Sequence, residues 1–309
     1  MDIRTLRYFV AIAEEGTISK AALRLHVAQP ALSLQLRKLE AELGSALLHR
    51  TARGVRVTAS GAKLLTHARD IIQRFDAARE DIQGEAPEPA GSVVWGMSQS
   101  IAMMLGAPLV RQTLDEFPQI RLRLCESNTG HIPELLRSAR LDLGVVFRLE
   151  EGHGLVARRV LEEDLYLVGP PGNLDGVDVA LRDLAAMPMI LPGRPHSLRE
   201  LIADCARREG ISFQIVAEVD AIPQIKELVA TGLGYTILSH ASIRPELEVG
   251  RLSARRIGSP SITRSVIFCR SADVPATRAL QTVEETARQI VSRLVQSGNW
   301  LARLCSNES

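Results

Sequence analysis

The run Gly84-Glu85-Ala86-Pro87-Glu88-Pro89-Ala90-Gly91 has no large apolar residue and divides the chain into two stretches with different periodicities. Before it, apolar residues recur every three to four positions, as on helices. After it, short apolar runs with strand character alternate with helical patterns up to a final helix near 275–296. A chain of 309 residues is long for one domain, and the break shows where it divides.

The leading stretch reads as three short helices and a hairpin. Leu6, Phe9, Val10 and Ala13 form one stripe, closed by Gly16. Thr17 caps a second helix whose Ala21 and Ala22 permit close crossing. A third helix runs over 29–43, with Pro30 in its first turn, where a missing N–H costs nothing. Its buried stripe is predicted to be Leu32, Leu36, Leu39 and Leu43. Gln29, Pro30, Ser33, Leu34 and Arg37 remain on the opposite face. Gln29, Ser33 and Arg37 align at intervals of four. Gln can bridge an adenine edge, Ser serves most bases, Arg suits guanine or phosphate, and Pro30 and Leu34 can meet a thymine methyl. Strands at 46–50 and 55–58, turning at Arg53-Gly54, place Arg50, Arg53 and Arg56 on a hairpin that can reach phosphates. Two helices joined by a tight turn, the second with a polar outer face, suit a major groove.

Net charge supports this only once the chain is divided. Residues 1–58 hold nine basic against five acidic residues, a surplus of four. The remainder holds 28 against 31. A basic head on a mildly acidic body suits a polyanionic partner. A long helix from about 58 to 83 follows, with Leu64, Leu65, Ala68, Ile71, Ile72, Phe75, Ala78 and Ile82 spaced as in a helix–helix seam. Leu65, Ala68, Ile72 and Phe75 are therefore expected to join two copies of the chain, because nothing else in the leading segment would cover them.

The four cysteines, Cys125, Cys205, Cys269 and Cys305, form no C-x-x-C pair and no zinc-spaced cluster with histidine. They read as free thiols in a reducing cytosol, and no metal or cofactor is expected. The chain opens on a charged amphipathic stretch without signal-peptide pattern, and no apolar run reaches membrane-spanning length, so a cytoplasmic protein without a membrane partner is expected.

The residues of the leading segment resemble the LysR-type transcription regulators. The resemblance is carried by 6–22 (Leu-Arg-Tyr-Phe-Val-Ala-Ile-Ala-Glu-Glu-Gly-Thr-Ile-Ser-Lys-Ala-Ala), 25–33, 39–44, Leu48-His49-Arg50-Thr51 and Val57-Thr58-Ala59-Ser60-Gly61. Segments 191–199, 218–226 and 232–238 are similar to the family's nitrogen-assimilation-control branch. Two positions depart from the family pattern: Ala28 stands where a Ser or Thr cap is frequent, and Leu34 where Arg or Gln is frequent. The resemblance implies a multidomain chain. Residues 1–58 would form a winged helix-turn-helix of all-α type. Residues 59–91 would be a linker helix and hinge, and 92–309 an α/β, two-lobed effector domain like a periplasmic binding protein. Lobe I would take about 92–163 and 268–309, and lobe II about 164–267. It also implies a homodimer or homotetramer on an interrupted inverted-repeat operator in double-stranded DNA, with RNA polymerase as a candidate partner.

In such a body a ligand would lie between the lobes, at strand-to-helix junctions. Ser98-Gln99-Ser100 and Asn128-Thr129 each follow a strand and precede a helix. Phe147 ends a strand, and Pro192 and His196 precede the first helix of lobe II. Their hydroxyls and helix N–H groups are expected to hold a small anionic effector without any buried Lys or Arg. Two alternatives stand beside this. A regulator of the same type could be controlled by its own abundance. A serine hydrolase would need G-x-S-x-G, but Gly96-Met97-Ser98-Gln99-Ser100 ends in Ser, and no Asp-then-His pair stands out downstream. No enzymatic activity is therefore expected.

Overall fold

A computed structural model describes the whole chain except residues 52–53, 84–87, 150–153, 175, 177 and 306–309 and the side chains of residues 80, 81 and 83. It falls into two compact units. One comprises Met1–Pro87 with Ser138–Arg140 and Asp273–Arg278; the other comprises Glu88–Arg137, Leu141–Ala272 and Ala279–Ser309.

The first unit holds α1 (Ile3–Glu15), α2 (Ile18–Arg24), α3 (Gln29–Leu43), the hairpin β1 (Leu48–Thr51) and β2 (Gly54–Val57), and α4 (Ala59–Gln83). Each helix start has a local cause. The Asp2 carboxylate accepts the Thr5 N–H at 2.7 Å, which holds its pKa below the ordinary carboxylate value, and Thr17 caps α2 through the Lys20 N–H. Ala28 gives α3 no side-chain cap, and Pro30 in the first turn supplies the pre-set backbone instead. Leu32, Leu36 and Leu39 enter a shared core with Leu6, Phe9, Ile12, Ala21 and Ala22. Leu43 does not; it is 40% exposed, because Gly44 turns the chain away before the stripe reaches the core again.

The hairpin is seated by close backbone approach. Gly16 takes a left-handed conformation at the end of α1, and its carbonyl accepts the Val55 N–H at 2.8 Å. Gly54, at φ +132°, passes so near that a Cβ there would meet the Gly16 oxygen at 2.2 Å. α4 then packs along α1, and Leu64, Leu65, Ala68 and Ile72 join the same core. This corrects the expectation that nothing within the segment covers the stripe. Ala68 is fully buried in its own chain, whereas Ile71, Phe75 and Ile82 remain exposed at 40, 47 and 86%.

The second unit begins with β3 (Gly91–Met97), the short α5 (Gln99–Ile101), a π-helical turn at Ala102–Gly106, α6 (Ala107–Glu116), β4 (Ile120–Glu126), α7 (Ile132–Arg137) and β5 (Leu143–Val146). It continues with β6 (Leu155–Gly169), β7 (Asp178–Ala180), β8 (Pro188–Leu191), α8 (Ser197–Arg208), β9 (Gln214–Glu218), α9 (Ile222–Ala230) and β10 (Thr236–Ser239). Then come α10 (His240–Glu248), β11 (Ser253–Ser259), β12 (Thr263–Ser271), α11 (Arg278–Gln296) and β13 (Arg303–Leu304). β3 pairs in parallel with β4 and β5, and Trp95 meets Phe268 edge to face at 5.0 Å in this part of the core. A second core gathers Leu165, Leu167, Leu184, Met189, Ile190, Leu191, Ile202, Ile225, Val229 and Ile237.

β6 and β12 run through both regions. The N-terminal half of β6 pairs with β12, and its C-terminal half pairs with β10 and β11. The sequence places this strand only at 165–169, yet it begins at Leu155. The charged run Arg158-Arg159 and Glu162-Glu163-Asp164 hides the alternation that the ladder imposes. β7, β8, β11 and α10 likewise carry no clear sequence signal. No helix among the described residues is long and apolar enough to cross a membrane.

Candidate nucleic-acid interface and effector cleft

On α3, Gln29, Pro30, Leu34 and Arg37 are exposed and Ser33 is half-buried, opposite the Leu32–Leu36–Leu39 stripe. The Gln29 side-chain oxygen accepts from the Ser19 hydroxyl of α2 at 3.2 Å, which leaves its amide N–H groups as donors. Arg50 and Arg56 stand exposed on the hairpin; Arg53 lies outside the described residues. The head thus presents one polar helix face and a basic hairpin from a single rigid core, the parts needed for base contacts and phosphate contacts respectively.

In the second unit, Ser98, Ser100 and Phe147 gather at Arg264 of β12, and Asn128 and Thr129 meet the segment that holds His196. The Ser98 and Ser100 hydroxyls lie 3.2 Å apart. Thr129 Oγ1 is 2.5 Å from Ser197 Oγ, and Asn128 Nδ2 donates to the Pro195 carbonyl at 3.3 Å, so both link lobe I to the start of α8 in lobe II. Asn128 Oδ1 also accepts the Gly130 N–H at 3.1 Å, a turn bond that occupies part of this side chain. His196 caps α8, its Nδ1 accepting the Leu198 N–H at 3.2 Å. Burial holds its pKa below the ordinary imidazole value, Asp220 opposes that shift, and the Arg264 charge adds to it. The ring is therefore neutral near pH 7, with its proton on Nε2. Gln99 is half-buried and Pro192 buried, and neither shares in the hydrogen bonds of this cluster among the described residues.

The centre of the cluster overturns one expectation. Arg264, on β12, is 5% exposed, and Nη2 donates to Ser100 Oγ at 3.1 Å and to Ser239 Oγ at 3.0 Å. Its guanidinium lies 3.9 Å over the Phe147 ring. Nε meets Glu163 Oε1 at 2.6 Å, and Glu163 Oε2 accepts from Trp300 Nε1 at 2.9 Å. The cleft is built around a buried arginine, not around hydroxyls and helix ends alone. Sequence reasoning misses Arg264, Glu163, Ser239 and Trp300. A signal exists for two of them. Arg264 shares the inward parity of Val266 and Phe268, Glu163 that of Leu161 and Leu165, and the two are direct cross-strand partners.

Comparison with known proteins agrees with this architecture. Residues 3–62 match the bacterial regulatory helix-turn-helix proteins of the lysR family, and residues 86–291 match the LysR substrate binding domain. The chain is 32% identical to the nitrogen assimilation regulatory protein nac of Klebsiella aerogenes, over 95% of this chain and 96% of that one. It is 30% identical to the protein of the same name from Escherichia coli (strain K12), over 96% of each. A full-length OxyR variant from Pseudomonas aeruginosa superposes with a TM-score of 0.75 at 25% identity, covering 93% of this chain and 98% of that one. Full-length CbnR complexed with its target DNA shares the fold, with a TM-score of 0.64 at 24% identity over 94% and 100% of the two chains. These relatives are regulators rather than enzymes, and this chain belongs to the LysR family of DNA-binding transcription regulators.

Proposed function

We propose that this regulator binds an interrupted inverted-repeat operator as a homodimer or homotetramer in the cytoplasm, reads bases with the exposed face of α3, and is governed by a small molecule held between the lobes of its C-terminal unit. In this division of labour residues 1–58 bind DNA, 59–91 join the copies and 92–309 respond to the effector, with RNA polymerase as the downstream partner. Direct base contact falls to Gln29, Ser33 and Arg37, apolar contact to Pro30 and Leu34, and phosphate contact to Arg50 and Arg53.

The observation that carries the effector reading is a pair of polar groupings in the C-terminal unit: Ser100 and Ser239 on the buried Arg264 guanidinium, and Thr129 bonded to Ser197 at the start of α8, beside the His196 cap. A group poised against donors from two lobes can favour one lobe arrangement by its differential affinity. Gln29→Ala should lower the specific-to-nonspecific affinity ratio by roughly 5- to 150-fold, the loss of about 1–3 kcal/mol for a bidentate base contact. Thr129→Val should blunt the transcriptional response while leaving operator affinity intact. Unchanged operator preference in Gln29→Ala, or unchanged output in Thr129→Val, refutes the respective half.

A second reading, control by abundance alone, draws support from the Thr129–Ser197 and Asn128–Pro195 bonds, which join the lobes through the residues an effector would use. Thiol-based sensing through Cys205 or Cys269 is disfavoured, since burial pushes the Cys205 thiol up and the Cys269 thiol up to about 12, the reverse of a reactive cysteine.

A further inference from the structure

The charge of Arg264 is already spent. Glu163, 1% exposed and directly opposite on β6, holds its Nε, and Trp300 holds the second carboxylate oxygen. Glu163 cannot swing aside without leaving a buried cation and an indole N–H unpaired. The hydrogen-bonding capacity of Arg264 is not spent. Of its five N–H groups, one goes to Glu163 and the pair on Nη2 goes to Ser100 and Ser239. Nη1 has no hydrogen-bond partner among the described residues.

The other sources of positive potential are weak. His196 is neutral, and Arg199 of α8 is engaged by Glu218 at 3.7 Å. The helix that begins after Ser98 runs without a break from Gln99 through the π turn to Glu116, but its N-terminus carries only about half a positive charge, short of the full charge an anion would bring, and α7 has only six residues. An anion entering here would bury a net negative charge beside Glu163 without a second cation, and that is disfavoured. An uncharged acceptor would gain a charge-assisted bond from Nη1 without that penalty.

We propose that Glu163 is the built-in counter-ion of the cleft and sets the charge class of the effector: a small uncharged molecule that presents a carbonyl, amide or similar hydrogen-bond acceptor to Arg264 and the flanking hydroxyls, and not an anion. This rests on the reading of the cleft as an effector site, and it replaces the anionic ligand that the hydroxyls alone suggest.

The test uses the full-length protein and matched fragment pairs, primary amides with the carboxylates of the same skeleton (benzamide and benzoate, propionamide and propionate), followed by ligand-observed NMR titration at pH 7.5. In the wild type the amide of at least one pair should bind tenfold or more tighter than its carboxylate, with binding lost in Thr129→Val. In Glu163→Gln the preference should invert by tenfold or more. Should Glu163→Gln fail to fold by circular dichroism, the wild-type amide-to-carboxylate ratio, with Thr129→Val and Ser100→Ala locating the site, decides alone. Carboxylates that bind the wild type more tightly than their amides, in a Thr129-dependent way, overturn the counter-ion role and leave the effector cleft standing. If neither series binds the wild type, both the counter-ion role and the effector cleft fall.

Discussion

Replacing Gly61 by Ala sets two effects against each other. Gly61 lies in the first turn of α4, and helix propensity alone favours Ala there by about 0.8–1.0 kcal/mol. The packing opposes it. A Cβ on Gly61 would meet the Leu47 carbonyl oxygen at 2.0 Å and Val57 Cγ1 at 2.9 Å, where real contacts stay beyond 3.0 Å. The Leu47 carbonyl cannot simply retreat. It accepts the Thr58 N–H at 2.9 Å, and the Thr58 hydroxyl both donates to the Ala46 carbonyl at 2.7 Å and accepts the Gly61 N–H at 2.9 Å. Overpacking costs about 1–3 kcal/mol, and one weakened hydrogen bond about 1 kcal/mol. The net is destabilisation of the head by about 1–3 kcal/mol. Amide exchange over α1–α3 in the full-length protein reads this directly, as a fall in protection of roughly 5- to 150-fold. Operator affinity should fall with it, since the displaced hairpin carries Arg50. Ala62→Gly at the exposed neighbouring position is the control, costing about 1 kcal/mol by propensity without moving the hairpin. If Gly61→Ala instead raises protection, propensity has won and the close contact does not hold the hairpin.

Arg264→Met should cost about 3–5 kcal/mol by stranding Glu163, lowering the melting temperature of the second unit by about 6–20 °C, and Arg264→Met/Glu163→Leu should recover most of it; a double variant no more stable than the single contradicts the buried-pair assignment. Phe75→Glu should leave the head folded and break the oligomer in sedimentation velocity, whereas Ala68→Glu, buried in its own chain, should unfold the head; an intact oligomer in Phe75→Glu removes this face from the interface. His196 and His240 are both held below the ordinary imidazole value of 6.5 by burial, so their contribution to stability is present above that pH and lost as pH falls through the lower folded values. His196→Gln should therefore flatten part of the stability loss below pH 6.5, and urea melts showing the same pH slope in both proteins would contradict it.

The head is legible in the sequence because its signals are local. Caps, glycines and a leucine stripe each act within a few residues; they give the third helix at 29–43, the second to within a residue of its observed 18–24, and the end of the first at Gly16. The Leu43 position fails because a stripe does not say where the partner helix ends. The stripe on α4 divides: Leu64, Leu65, Ala68 and Ile72 join the head's own core while Ile71, Phe75 and Ile82 stay exposed, a division that one chain's sequence cannot show because it does not reveal that α1 reaches Ala68. The cleft is half legible. Ser98, Ser100, Asn128 and Thr129 stand at junctions that alternation reveals, but Glu163 and Arg264 are 101 positions apart, and only the register of β6 on β12 brings them together. Trp300 lies farther along the chain still, beyond the final helix, where nothing in its neighbours points to a buried carboxylate.

The antiparallel pairing of β6 and β12 has a mechanical consequence. The segments that connect the lobes are not two free loops but a ladder, so a change in lobe angle must be taken up as torsion distributed along paired backbone. One step of that ladder is already irregular, between Val266 and Ile267, and β13 lies across the same stretch, pairing Arg303 and Leu304 with Glu162 and Leu161. The C-terminal strand therefore works as a brace on the torsion bar. Its length and sequence should set the stiffness with which the lobes turn, independently of any group lining the space between them.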